Sequence, residues 1–202
     1  MTSEPFNPLA MDSLAHSIVT RMTLMTPIPM SEVPVFSGAG LYAIYYHGTF
    51  PAYADLAVLN KPTATVPIYV GKAVPAGARK GVGVAASSDT KALANRVREH
   101  AKSISAATNL DIGDFMARWL IVEDIWIALG ESAMIRQHRP VWNVIVDGFG
   151  NHDPGGGRGE GIRSRWDTLH PGRLWASKYP KRDETPAHIE QEIREYLRSR
   201  LA

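Results

Sequence analysis

The residues best suited to chemistry in this sequence are two tyrosines, an arginine and a histidine that lie within or beside apolar patterns. Tyr42 and Tyr69 each fall in a short strand-like run, with a glycine two residues away. Arg96 and His100 are four residues apart on a helical pattern, so both side chains can point into one site. Tyrosine and histidine can transfer protons, and arginine can hold an anion.

Glu131 is unusual because its helical neighbours are apolar. The residues three and four positions away on either side are Ile127, Ala128, Met134 and Ile135. An ionised carboxylate on such a face is costly unless a cation or strong donors meet it. One interpretation is a salt bridge to a nearby arginine, and the other is a metal ligand. A single carboxylate suits Mg²⁺, which keeps most of its waters and adds a substrate phosphate oxygen.

Each of these residues, taken alone, has an ordinary structural interpretation. Tyr42 and Tyr69 could be core aromatics, His100 a hydrogen-bonded helix histidine and Arg96 a surface charge. Asn143 could cap the end of a strand. A functional role is favoured because all of these residues together occupy the positions of one set of motifs, in the order of those motifs. Such an arrangement is an unlikely coincidence.

The hydrophobic pattern predicts the order β-β-α-β-α, preceded by a helix. Strands are predicted at 40–46, 66–71 and 115–122, with an extended segment at 141–146. Helices are predicted at 9–25, 51–59, from 91 onward, at 124–137 and at 188–201.

The two tyrosine runs read Gly40-Leu41-Tyr42 and Tyr69-Val70-Gly71. Together with Arg96, His100, Glu131 and Asn143 they resemble the motifs of the GIY-YIG nuclease superfamily, with leucine and valine replacing the two isoleucines. The resemblance covers roughly residues 36–182. It is greatest to the compact type II restriction endonuclease branch that cuts the palindrome CCGCGG.

This resemblance implies an α/β (α+β) fold with a small central three-stranded antiparallel sheet flanked by helices. An N-terminal helix would precede the sheet and a C-terminal extension would follow it. The corresponding segments are a helical arm at 1–35, a nuclease core at 36–147 and DNA-contacting loops with a terminal helix at 148–202. We expect all three to form one compact domain.

The resemblance also implies catalytic roles. Hydrolysis of a phosphodiester needs an activated water, stabilisation of transition-state charge and help for the departing 3′ oxygen. Tyr42 would orient or deprotonate the water, and His100 would hydrogen-bond to the water or to the Tyr42 hydroxyl. Glu131 would bind Mg²⁺, for which Mn²⁺ could substitute, and Asn143 would orient neighbouring groups or a phosphate. The scissile phosphate would be held by Tyr69, Arg96 and Lys72.

Two segments carry an excess of positive charge. Residues 71–110 contain seven basic and two acidic side chains, and residues 153–182 contain seven and three. Such segregation is typical of a surface that binds a polyanion, although solvated loops are the alternative interpretation. In the first segment Arg79 and Lys80 are candidates for contact with the DNA backbone. In the second, the candidates for guanine or phosphate contacts are Arg158, Arg163, Arg165 and Arg173.

We therefore expect a Mg²⁺-dependent type II endonuclease that cleaves double-stranded DNA at a short GC-rich palindrome and acts as a homodimer. A cognate DNA methyltransferase is expected in the same restriction-modification system, but not as a stable partner. Two alternatives remain: a structure-specific or homing nuclease of the same superfamily, and a DNA-binding module of the same fold that does not cleave.

Composition excludes several other classes. The chain has no cysteine, so disulfides and thiolate metal sites are impossible. No apolar run approaches the ~18 residues needed to span a bilayer, and the first residues do not resemble a signal peptide. We expect a soluble cytoplasmic protein without a membrane partner.

Overall fold

The computed structural model describes residues 10–75, 90–153 and 161–201. These residues form a four-stranded antiparallel sheet in the order β1-β4-β2-β3. The strands are β1 (Ile28–Pro29), β2 (Gly40–Tyr46), β3 (Tyr69–Ala73) and β4 (Phe115–Ile121). The predicted fold class is confirmed, with one correction: the sheet has four strands instead of three. The additional strand has only two residues and contains Pro29, which is tolerated because β1 lies at the edge of the sheet.

Seven α-helices surround the sheet in the described part of the chain. They are α1 (Met11–Thr23), α2 (Ala54–Asn60), α3 (Ala92–Ala106), α4 (Asp124–His138), α5 (Val141–Val144), α6 (Arg165–Leu169) and α7 (Pro186–Leu201). The prediction of an extended segment at 141–146 is wrong, because α5 occupies most of it. Pro140 follows α4 and precedes a single helical turn. In that turn the amide of Val144 donates to the Pro140 carbonyl at 3.0 Å.

Strand β2 is the centre of the sheet, since it pairs with β3 on one side and with β4 on the other. All seven of its residues are buried, as expected for a strand covered on both faces. Tyr42 lies opposite Gly71 of β3. A side chain at Gly71 would collide with the Tyr42 hydroxyl, so glycine is required at this position.

The side chains of β2 alternate between two hydrophobic clusters. One contains Tyr42 and Ile44 together with residues of α3 and α7, and the other contains Leu41 and Ala43 together with residues of α1 and α4. Helix α3, which carries Arg96 and His100, therefore packs on the Tyr42 face. Helix α4, which carries Glu131, packs on the opposite face. Strand β3, next to β2, forms an edge of the sheet, where residues from both faces can approach each other.

A buried chain of hydrogen bonds ties the α2 segment to the C-terminal region. The indole of Trp142 donates to the Tyr53 hydroxyl at 2.8 Å, and that hydroxyl lies 2.7 Å from Nε2 of His170. Nδ1 of His170 lies 3.0 Å from Oδ1 of Asn109, whose amide donates to the Leu169 carbonyl. Burial lowers the pKa of His170 to about 3, so the ring is neutral and both of its nitrogens are satisfied.

The predicted segment boundaries at 35 and 147 stay predictions. In the described ranges, no helix is both long and apolar enough to cross a bilayer.

Candidate active site

Tyr42 and His100 form a buried pair. The Tyr42 hydroxyl lies 2.6 Å from Nε2 of His100, and the two residues are 0% and 2% exposed. Burial raises the pKa of Tyr42 well above its usual value, and the neighbouring Tyr69 adds to this, while Arg96 opposes it. Burial also lowers the pKa of His100 well below its usual value, and Arg96 lowers it further. Both groups are therefore neutral, and the hydroxyl donates to Nε2.

Tyr69 and Arg96 lie beside this pair. The Tyr69 and Tyr42 rings are 6.1 Å apart, and the Tyr69 and His100 rings are 5.3 Å apart. Burial raises the pKa of Tyr69, the Arg96 charge opposes that effect, and the Glu131 charge adds to it. The pKa of Tyr69 therefore depends on charges from both faces of the sheet. The Arg96 side chain is 20% exposed, and its Nη1 lies 3.7 Å from Oε2 of Glu99.

Glu131 meets a lysine at the edge of the sheet. Its Oε2 is 2.6 Å from Nζ of Lys72, and the two side chains are 20% and 40% exposed. A cation therefore faces this carboxylate, as in the salt-bridge interpretation, although it is a lysine instead of an arginine. A partly exposed carboxylate beside a cation position is a suitable oxygen donor for Mg²⁺, which needs few protein ligands because it retains water. Glu131 thus fits the metal in its donor chemistry.

Asn143, on α5, holds the free edge of β3. Its Oδ1 accepts from the amide of Val70, and its Nδ2 donates to the Val70 carbonyl, both at 2.9 Å. The amide of Trp142 donates to the Ile68 carbonyl at 3.0 Å. These bonds satisfy the outer edge of the strand next to Tyr69. Asn143 acts here on the backbone, and its role in orienting neighbouring groups or a phosphate stays a prediction.

Three site residues were missed by the sequence analysis, and all follow α5. Phe149 stacks on His100 with ring centroids 4.4 Å apart, and the Gly150 carbonyl accepts from Nη2 of Arg96 at 2.8 Å. The imidazole of His152 also contacts the Arg96 guanidinium. The available signal was the pair of glycines flanking Phe149, because glycine permits close backbone approach. A β-carbon at Gly150 would lie only 2.8 Å from the Tyr69 hydroxyl.

The arginines nominated for DNA contact are engaged within the chain wherever the structure describes them. Arg163 donates to backbone carbonyls of residues 176, 177 and 179. Arg165 bonds to Glu184 and Glu192, which with His188 form the one cluster of metal-type ligands among the described residues. Because Arg165 and Arg182 pair with these carboxylates, the cluster is an ion-pair network. Contact of Arg163 or Arg165 with DNA stays a prediction. Three other candidates, Arg79, Lys80 and Arg158, lie outside the described residues.

The small antiparallel sheet flanked by helices agrees with the fold that the resemblance to the GIY-YIG nucleases implies. Residues 34–197 match the family model described as the Eco29kI GIY-YIG domain. Since this match covers most of the chain, the protein belongs to that family, which is a family of DNA-binding restriction endonucleases. The resemblance to the GIY-YIG restriction endonucleases is thereby confirmed. A comparison with curated proteins gave no significant match.

Proposed function

We propose that this protein is a type II restriction endonuclease that hydrolyses double-stranded DNA at a short GC-rich palindrome, with CCGCGG as the first candidate. The observation that carries the proposal is the 2.6 Å hydrogen bond between Tyr42 and His100, in a chain that belongs to a restriction endonuclease family. A buried hydroxyl that donates to a neutral imidazole is a short path for a proton.

The proton path accounts for how a tyrosine serves as a base although burial raises its pKa. As Tyr42 accepts a proton from the attacking water, it gives its own proton to Nε2 of His100. No free phenolate is then needed, and the charge that develops lies on the imidazole.

The scissile phosphate is held by the cations around this pair. Arg96 presents a planar set of donors that suits two phosphate oxygens, and Tyr69 adds a hydroxyl. Lys72 supplies a point charge from the neighbouring edge of the sheet. These groups stabilise the negative charge that builds up on the phosphorus oxygens in the transition state.

Glu131 is the residue that would hold Mg²⁺, and Mn²⁺ is expected to substitute. When bound, the metal supplies Lewis-acid stabilisation of the departing 3′ oxygen. Lys72 and the metal compete for the same carboxylate, because Nζ of Lys72 lies within 2.6 Å of Oε2 in the structure. A phosphate that attracts Lys72 would leave Glu131 free for the metal.

The partners follow from the type of site. A palindrome has twofold symmetry, so we propose that two copies of the chain act on one DNA site. A methyltransferase that protects the same sequence belongs to such a system without forming a stable complex.

Incubation of the purified protein with plasmid DNA and Mg²⁺, followed by sequencing of the fragment ends, tests this function. Discrete cuts within one palindrome support it. Preferential cutting of branched DNA would indicate a structure-specific nuclease, and a long asymmetric site would indicate a homing enzyme. Retardation of DNA without any cutting would indicate a binding module.

A further inference from the structure

The loop that follows α5 is held by two arginines from opposite sides. The Gly150 carbonyl accepts from Nη2 of Arg96 at 2.8 Å. The other three carbonyls of the stretch 148–151 accept from Arg173, at 2.9 Å from Gly148, 3.1 Å from Phe149 and 3.2 Å from Asn151. Successive carbonyls of one short loop therefore join Arg173 to the arginine of the candidate active site.

Arg173 has no donor left for DNA. Its remaining bonds go to both carboxylate oxygens of Asp167, at 2.6 and 2.7 Å, so all five N–H groups have an acceptor. The guanidinium lies between the rings of Trp166 and Trp175, 4.5 and 4.7 Å from their centroids. The residue is only 5% exposed. This environment does not agree with the prediction that Arg173 contacts a base or a phosphate.

The loop that Arg173 holds also contacts the proton path. The Phe149 ring stacks on His100 and lies 4.9 Å from the Tyr69 ring, edge to face. A shift of this loop would therefore move three contacts together: the carbonyl that accepts from Arg96, the imidazole of His152 beside Arg96, and the ring against His100.

We propose that Arg173 is a positioning residue for DNA cleavage: it fixes the loop 148–151 so that Arg96 and His100 keep their positions beside Tyr69 and Tyr42. The inference rests on the proposed nuclease function and goes beyond it by assigning a role to a residue far along the chain from the motif. Arg173 acts through the loop and does not touch the substrate.

Arg173→Lys is the informative substitution. Lysine keeps the positive charge beside Asp167, but an ammonium has three donors in place of the five fixed in a plane, so it cannot hold three carbonyls and a carboxylate together. Arg118→Lys is the matched control. Arg118 is also buried, at 8% exposed, and it donates to the carbonyls of Met25 and Ala64, away from the loop.

Single-turnover cleavage with enzyme in excess and DNA affinity by fluorescence anisotropy without Mg²⁺ are measured for both variants, at a temperature at which circular dichroism shows them folded. Arg173→Lys should slow cleavage about 10- to 100-fold, as expected when a supporting contact of an active site is lost. Its DNA affinity, and both properties of Arg118→Lys, should stay within about threefold of wild type.

Three results would overturn the inference: unchanged cleavage by Arg173→Lys, an equal loss in Arg118→Lys, or a fall in DNA affinity that accounts for the slower rate. If Arg173→Lys does not fold, Asp167→Asn decides instead, because it removes the carboxylate charge that holds the Arg173 guanidinium and changes no residue in contact with Tyr69. Slower cleavage with unchanged affinity supports the inference, and unchanged cleavage overturns it. Wild-type protein that fails to cut DNA would refute the proposed nuclease function itself.

Discussion

Burial has opposite effects on the pKa values of Tyr42 and His100. It raises the pKa of Tyr42 and lowers the pKa of His100. In the resting pair the hydroxyl is therefore protonated and Nε2 of the imidazole is not. Arg96 lowers both pKa values, which makes the imidazolium harder to form. A phosphodiester bound to Arg96 would offset that positive charge and ease protonation of His100. Bound substrate would therefore help His100 to accept the proton that Tyr42 passes on.

The competition between Lys72 and the metal gives a prediction for binding without DNA. Glu131→Gln should abolish the binding of Mn²⁺ at this site, because the neutral amide replaces the carboxylate. Lys72→Met should strengthen binding by about 1.4-fold to fivefold, since a partly exposed ion pair contributes roughly 0.2 to 1 kcal/mol. Isothermal titration calorimetry with Mn²⁺ measures both variants against wild type. Weaker binding by Lys72→Met would show that the two cations do not compete.

At the scale of elements, α5 is the link between the edge strand and the C-terminal region. Asn143 bonds to the backbone of β3, and the neighbouring Trp142 bonds to Tyr53, which in turn contacts His170. Among the strands of the described ranges, none pairs with the outer side of β3, and the asparagine amide bonds to its backbone there instead. The position of Tyr69 thus depends on a helix that is only four residues long.

Asn143→Ala tests this link. The substitution removes two hydrogen bonds from the backbone of Val70, which should lower the free energy of unfolding by about 1 to 2 kcal/mol. Cleavage under single-turnover conditions should also slow, because Tyr69 is adjacent to the released backbone. Urea denaturation and the cleavage assay give the two values. Normal stability combined with a large loss of cleavage would instead favour direct contact of Asn143 with a phosphate.

The buried histidines predict a loss of stability in acid. The pKa of His170 is about 3 in the folded protein and about 6.5 when unfolded, so between these pH values the unfolded state binds more protons. Stability should therefore decrease as pH falls below about 6.5, by up to ~1.4 kcal/mol per pH unit for this residue. His100, whose pKa is also lowered, should add to the slope.

Urea denaturation from pH 8 to pH 5 measures that slope. His170→Gln should flatten it, even if the variant is less stable at pH 8, because the amide does not titrate. An unchanged slope in His170→Gln would contradict the assignment of His170 as a buried neutral ring.

The sequence predicted most accurately those elements whose hydrophobic pattern is continuous over many residues. Strand β2 begins and ends at the predicted residues, and α4 extends only one residue beyond the prediction. Strand β1 could not be predicted because two residues contain no period. Helix α5 and the role of Arg173 depend on partners distant in the chain or on backbone carbonyls, which leave no pattern of side chains. Glu131 was recognisable because a carboxylate on an apolar face is costly wherever it lies.

At the scale of the whole molecule, assembly on DNA is the main question. The chain carries one set of the motif residues, whereas a palindrome presents two equivalent bonds to cleave. Light scattering of the complex with a duplex containing one site should give two chains per duplex. Exposed residues of α1, such as Met11, are candidates for the interface. One chain per cleaved duplex would contradict the expected dimer.

In the proposed mechanism, the Tyr42 hydroxyl relays the proton of the attacking water to His100. Tyr45→Phe is the matched control, because Tyr45 lies on the same strand, is buried on the opposite face, and its hydroxyl bonds to Arg118. Tyr42→Phe and Tyr45→Phe each keep the ring and remove one hydroxyl, whose hydrogen bond is worth only ~0.5 to 1.5 kcal/mol of stability.

Single-turnover cleavage of a duplex carrying the recognition site, with enzyme in excess, tests this claim most directly. Tyr42→Phe should slow the chemical step by ~10² to 10⁴ while DNA binding survives, and Tyr45→Phe should cut at nearly the wild-type rate. Cleavage by Tyr42→Phe within about threefold of wild type would contradict the account and leave His100 or Lys72 as the base.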